Sequence, residues 1–152
     1  MNPGLSKRSQ KKILGDILSL CRETFGGDLV SVVLFGSYAK GVASRESDID
    51  LLVIVKHLPN EAEQQEQLLD SLEMPILKKY HTCASVILTT PEAVVNGIES
   101  DNPLFYGIWT GYSLLFDSGD FFCQCLSTVR QHIRISKPVF IDGRKRWNLA
   151  EI

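Results

Sequence analysis

An α+β domain, a small mixed β-sheet with helices packed on one side, is the fold class this sequence predicts, and three observations predict it. Two apolar runs, Leu29 to Phe35 and Asp48 to Val55, have the length of strands, and the first is rich in valine. Stretches with apolar residues at helical spacing precede, separate and follow them. The resulting order is helix, strand, strand, helix, strand and then mainly helices, which departs from the strict alternation of a parallel α/β sheet.

Taken in order, Ser6 to about Phe25 places Ile13, Leu14, Ile17, Leu18 and Cys21 on one helix face, and Gly26-Gly27 stops it. The nearly continuous apolar run from Leu29 to Phe35 predicts a strand buried on both faces, ending at Gly36-Ser37. One helical turn and then a loop lead from Tyr38 to Ser47. After the second strand, Asn60 reads as a helix cap with Glu63 completing a capping-box pair, and Pro75 falls just past the end of that acidic helix at about Met74. His81 to Leu88 reads as a third strand. Thr90-Pro91 and Asn102-Pro103 each read as a cap followed by proline in the first turn. Ser113 to Phe116 reads as a short edge strand, and Phe122, Cys125, Leu126, Val129 and Ile133 as a last helix. Leu104, Phe105, Trp109, Phe121 and Phe122 are expected in the core. Turn signals at Lys137-Pro138 and Asp142-Gly143 break up the tail, where Trp147 and Leu149 are expected to fold back onto the body. A single domain over residues 1–152 is expected, with a C-terminal helix and tail at about 119–152.

With 152 residues, 44% hydrophobic and 22% charged, the chain has the composition of one soluble globular domain. No run approaches the length that crosses a bilayer, and the first residues lack a signal peptide's apolar stretch, so a cytoplasmic location is expected. A formal charge of -2 gives no global case for nucleic-acid binding. Charge is unevenly spread: Glu61, Glu63, Glu66, Asp70 and Glu73 form an acidic middle, and Arg130 to Arg146 a basic last quarter. Cys21, Cys83, Cys123 and Cys125 are scattered, as are His57, His81 and His132, which argues against a disulfide framework or a zinc site.

The chemistry is concentrated in Val33 to Gly41 and Ser44 to Val53. Glycine after a buried strand permits a tight turn and a close backbone approach to a ligand, and Ser37 adds a hydroxyl at a helix start, a geometry suited to phosphate. Asp48 and Asp50 lie two residues apart on a strand, so their carboxylates share a face while Ile49 and Leu51 take the other. Such a pair is a natural seat for Mg2+, which takes carboxylate oxygens, water and substrate phosphate.

Together, Gly36-Ser37 and Asp48-Ile49-Asp50 resemble the signature of the DNA polymerase β-like nucleotidyltransferase superfamily, and most closely that of the minimal nucleotidyltransferases often paired with a HEPN partner. Lys40-Gly41, Ser47 and Leu51-Leu52-Val53 match in the connecting detail. The resemblance implies a nucleotidyltransferase fold and two-metal transfer of a nucleoside monophosphate, AMP from ATP, to a hydroxyl. Asp48 and Asp50 would hold the Mg2+ ions, and Gly36 and Ser37 would grip the β- and γ-phosphates. By proximity in the chain and not from the motif, Lys40 or Arg45 would add positive charge near the leaving pyrophosphate. The acceptor it suggests is a HEPN-type toxin, which would make this chain an antitoxin; oligomerisation is left open.

The family pattern usually includes a third carboxylate on a later strand, able to act as base for the acceptor. Here that strand contains no acid, and Ser85 stands at the expected position. Three alternatives follow: Glu92 or Asp101 reaches the site, a partner completes it, or the chain keeps the nucleotide-binding fold and acts by binding alone. His81 is a weaker candidate for the base. A small-molecule transferase shares the motif and ranks last.

Overall fold

The elements follow from local signals that a computed structural model, describing residues 4–136, 139–141 and 144–146, lays out in space. Helix α1, Lys7–Phe25, starts where the Ser6 hydroxyl accepts from the Ser9 amide at 3.2 Å, and it stops at Gly26, whose φ of 52° suits glycine. Strand β1 is Leu29–Phe35, the short helix α2 Gly36–Lys40, and strand β2 Ile49–Val55. Helix α3 is Ala62–Tyr80 and strand β3 Ala84–Thr89. Helices α4, Pro91–Glu99, and α5, Pro103–Trp109, begin at the expected caps: Thr90 Oγ1 accepts from the Ala93 amide and Asn102 Oδ1 from the Leu104 amide. Strand β4, Ser113–Asp117, and helix α6, Phe121–Ser136, follow. Val139–Ile141 (β5) and Arg144–Arg146 (β6) pair antiparallel, where the sequence suggested only turns. Trp147 and Leu149 lie outside the described residues.

Three local expectations need correcting. Pro75 lies inside α3 and not beyond it. The helix continues because Ile76 and Leu72 are buried on its core face, and that packing outweighs the one hydrogen bond to the Ser71 carbonyl that proline cannot make. Asn60 does not cap α3. The helix begins after Glu61, and Gln65 closes the first turn by donating from Nε2 to the Pro59 carbonyl at 2.7 Å. His81 belongs to the left-handed C-cap of α3, with φ 54°, and its amide donates to the Leu77 carbonyl, so β3 starts only at Ala84.

The sheet order is β3-β2-β1-β4. Strand β1 runs antiparallel to β2 and β4, whereas β2 and β3 are parallel, so the sheet is mixed as expected. Helices cover both of its faces and not one. Val32, Leu34, Leu51 and Val53 pack against Ile13, Ile17 and Cys21 of α1 and Leu72 and Ile76 of α3. Val33, Leu52 and Ile54 pack against Val94, Phe105, Ile108, Phe122 and Val129 of α4, α5 and α6. The two central strands have no polar face to leave in water, which demands a layer on each side. Phe105 and Phe122 are buried, and Leu104, Trp109 and Phe121 are partly buried against the same cluster, as expected of core residues. All four cysteines are free thiols. Among the described residues, no helix is long and apolar enough to cross a membrane.

Asp117 ties the far end of the sheet to α6. One carboxylate oxygen accepts from Ser31 Oγ at 2.6 Å and the Phe122 amide at 2.9 Å, and the other from the Cys123 amide at 2.9 Å. Ser31 is fully buried, so its hydroxyl has no water to turn to. Asp117→Ala is expected to destabilise the fold by about 2–3 kcal/mol, a lost helix cap plus an orphaned buried hydroxyl, read as a lower urea midpoint at unchanged m-value.

Candidate active site

Strand β1 delivers the chain to Gly36 at the same end of the sheet where β2 begins, and the register sets Phe35 opposite Asp50. Gly36 has φ 72°, a conformation that glycine adopts without a Cβ clash. A Cβ placed there would fall 2.1 Å from Asp50 Oδ2. The glycine therefore does two things at once: it turns the chain into α2, and it leaves the space that the Asp50 carboxylate occupies. Ser37 follows as the second residue of α2, and Gly41, φ 73°, ends the helix. The loop to β2 is pinned by Ser47, whose hydroxyl accepts from the Ser44 amide at 2.9 Å and whose amide donates to the Ser44 carbonyl at 3.1 Å.

Asp48 is exposed just before β2, and Asp50 is partly buried at its second position. Burial pushes the Asp50 carboxyl above the ordinary carboxylate value, and the neighbouring Asp48 charge pushes it further in the same direction. Neither aspartate has a hydrogen-bond or ion-pair partner among the described residues. Two neighbouring carboxylates that repel each other and are left uncompensated are a donor set that fits Mg2+, which needs only one or two carboxylates beside water and substrate phosphate. Among the described residues, no group of three or more His, Cys, Asp and Glu side chains is placed to hold a metal ion.

The neighbouring strand explains why. Ser85 is registered beside Asp50, on the same face, and it is exposed. The two acids suggested as replacements do not come there. β3 runs parallel to β2 and leaves the sheet at Thr89, level with Ile54, so Glu92 starts its helix about 13 Å along the strand from Asp50. Asp101 is held by Tyr106 and His132, accepting from the tyrosine hydroxyl and lying 2.9 Å from His132 Nδ1, between α5 and α6. His81 is exposed at the end of α3, as a capping residue.

Glu73 was passed over in the sequence because it reads as one of a solvent-facing acidic run. Its Oε1 accepts from the Val86 amide at 3.4 Å, covering the open edge of β3. Burial raises its carboxyl above the usual range, the Val86 bond lowers it, and Asp70 and Asp48 raise it again. The Asp48 contribution places Glu73 within electrostatic reach of the site. The signal available in the sequence was Leu72 and Ile76, which orient that turn of α3 toward the sheet.

Lys40 is the last residue of α2. Its aliphatic stem runs across Gly111, where a Cβ would meet Lys40 Cγ at 2.5 Å. Arg45 instead lines a separate cavity of about 290 Å3 with Tyr38, Tyr80, His81 and Thr82. Another cavity, of about 590 Å3, lies beside the start of α1 with Ser6, Lys7 and Gln10, and neither aspartate lines it. The aspartates stand at an open sheet end, where a large substrate or a second protein has access.

Set beside known proteins, residues 14–109 match the model of a family described as nucleotidyltransferase domain. A Methanocaldococcus jannaschii protein named as a candidate protein adenylyltransferase is 36% identical over 97% of this chain and 99% of its own length. Of solved structures, a toxin-antitoxin complex with AMP-PNP superposes with a TM-score of 0.54 at 20% identity, over 81% of this chain and 89% of that one. A spectinomycin adenyltransferase from Enterococcus faecialis, with ATP and spectinomycin, superposes with a TM-score of 0.56 at 18% identity, over 81% of this chain and 64% of that one. At those identities the structural likeness speaks for the fold.

Proposed function

Because this chain belongs to the nucleotidyltransferase domain family, we propose that it transfers AMP from ATP to a hydroxyl on a partner protein, using Asp48 and Asp50 to hold Mg2+. The observation that carries this reading is the uncompensated Asp48/Asp50 pair, with Asp50 seated in the space that Gly36 leaves. A bound Mg2+ would neutralise the nucleotide phosphates and favour the charge that develops on the attacking and leaving oxygens. Gly36 and Ser37 contact the β- and γ-phosphates at the start of α2, and Lys40 supplies positive charge beside the pyrophosphate. The acceptor hydroxyl gives up its proton to solvent as its oxygen bonds to the α-phosphorus, the bond from that phosphorus to the β-bridging oxygen breaks, and pyrophosphate leaves.

Two relations support a protein acceptor. The archaeal relative that spans nearly the whole chain carries a protein-adenylyltransferase name, and one structural neighbour is a toxin-antitoxin complex with a nucleotide analogue. We take the acceptor to be a hydroxyl of a HEPN-type toxin and this chain to be its antitoxin. Ser85 favours a second reading, a nucleotide-binding module that neutralises its partner by contact, because no carboxylate stands beside Asp50 to take the acceptor's proton.

Incubation with ATP labelled on the α-phosphate, Mg2+ and the co-expressed HEPN-type partner separates the two. Label on the partner, abolished by EDTA, is the expected outcome. A partner that stays unlabelled yet neutralised would select the binding module.

A further inference from the structure

The residues across the site end of the sheet form a row that continues beyond the aspartates. Ser85, Asp50 and Phe35 stand side by side on β3, β2 and β1. Ser113 pairs with Leu34, so the residue before it, Tyr112, comes level with Phe35, and strand alternation puts it on the face of Phe35 and Asp50. Two strand spacings separate it from Asp50, roughly 10 Å. The Tyr112 ring stacks on Trp109, with centroids 6.3 Å apart and planes at 26°. Trp109 is packed into the cluster beneath α5 and α6, whereas Tyr112 is 36% exposed. Tyr112 is thus braced on one side by a ring that is itself packed, and it remains partly open to solvent. Gly111, which carries the stem of Lys40, lies next to Tyr112 in the chain, and half-buried Phe35 floors the space between Tyr112 and Asp50.

We propose that Tyr112, backed by Trp109, is the platform on which the nucleobase of the substrate stacks, with the triphosphate lying across Phe35 to Asp48 and Asp50. This rests on the nucleotide-transfer reading above and adds which side chain takes the base. A phosphate gains nothing from an aromatic face, whereas every nucleobase has a π-face to offer it. Recognition by ring area favours the larger purines over pyrimidines, so ATP and GTP bind ahead of CTP and UTP.

Calorimetric titration with ATP, CTP and inorganic tripolyphosphate, each with Mg2+, tests the proposal on the wild type, Tyr112→Ala and Tyr112→Phe. The wild type is expected to bind ATP about tenfold or more tighter than tripolyphosphate, and tighter than CTP. Tyr112→Ala should erase that advantage and leave tripolyphosphate binding unchanged, and Tyr112→Phe should keep it. In a Trp147→Phe background, where Trp109 is the remaining tryptophan, ATP should quench emission and tripolyphosphate should not. Unchanged ATP affinity in Tyr112→Ala would overturn the platform while leaving phosphate binding at the aspartates intact. Failure of the wild type to bind either ATP or tripolyphosphate would instead overturn the nucleotide-transfer reading itself.

Discussion

Asp50→Asn is expected to lower nucleotidyl transfer by at least about 10³-fold while leaving the protein folded and more stable at neutral pH. The two effects have one cause. The Asp50 carboxyl is raised above its ordinary value by burial and by Asp48, so the fold disfavours the ionised form that the proposed chemistry requires. For such a group the destabilisation is absent below the unfolded value, roughly pH 4, and fully present above the folded one. The gain in melting temperature of Asp50→Asn over wild type should therefore be present at neutral pH and shrink toward zero as the pH falls through the carboxylate range. Mg2+ should stabilise the wild type and not the variant, since a cation that binds only the folded ionised pair adds to its stability by mass action. A variant less stable than wild type at pH 7, or one that still transfers label, would remove Asp50 from the role given to it. Asp48→Asn should lose activity comparably with less gain in stability, because Asp48 is exposed.

The parts of this molecule that were legible in the sequence are those where one local signal decides the outcome. Ser6, Thr90 and Asn102 announced their helices because a cap is a short-range hydrogen bond. Leu29 to Phe35 announced a strand buried on both faces, yet the helices were expected on one side of the sheet, and the second layer emerged only from the packing of α4, α5 and α6. The Gly36-Ser37 and Asp48-Ile49-Asp50 spacing marked the candidate site, although it could not show that Gly36 makes room for Asp50. Pro75 misled because tertiary burial of Leu72 and Ile76 overrode a local breaker. Glu73 and the Trp109 and Tyr112 pair were passed over for a related reason: their positions depend on strand register and helix packing, which link residues far apart in the chain. Ser85 is the counter-example, placed beside Asp50 by pattern and found there by register.

Gly36→Ala should be far more damaging than Gly41→Ala, and the comparison of the two shows why. Both glycines have φ near 72°, so an added Cβ strains the backbone by a similar amount, on the order of 1–2 kcal/mol. At Gly41 nothing lies within 4 Å of the new methyl, whereas at Gly36 it falls 2.1 Å from Asp50 Oδ2. The carboxylate must swing away, because its side chain is the part free to move. Displacing a catalytic group by about 1 Å costs on the order of 10²-fold, so Gly36→Ala should lose at least that much in kcat/KM while Gly41→Ala stays within a few-fold of wild type. The two should melt at similar temperatures only if the clash is fully relieved by that swing; any residual strain appears as extra destabilisation of Gly36→Ala. Combining Gly36→Ala with Asp50→Ala removes the obstructing carboxylate, so the extra destabilisation should vanish in the double variant and leave the backbone strain alone. Equal activity losses at Gly36 and Gly41 would mean that the turn, and not the space beside Asp50, is what the glycine provides.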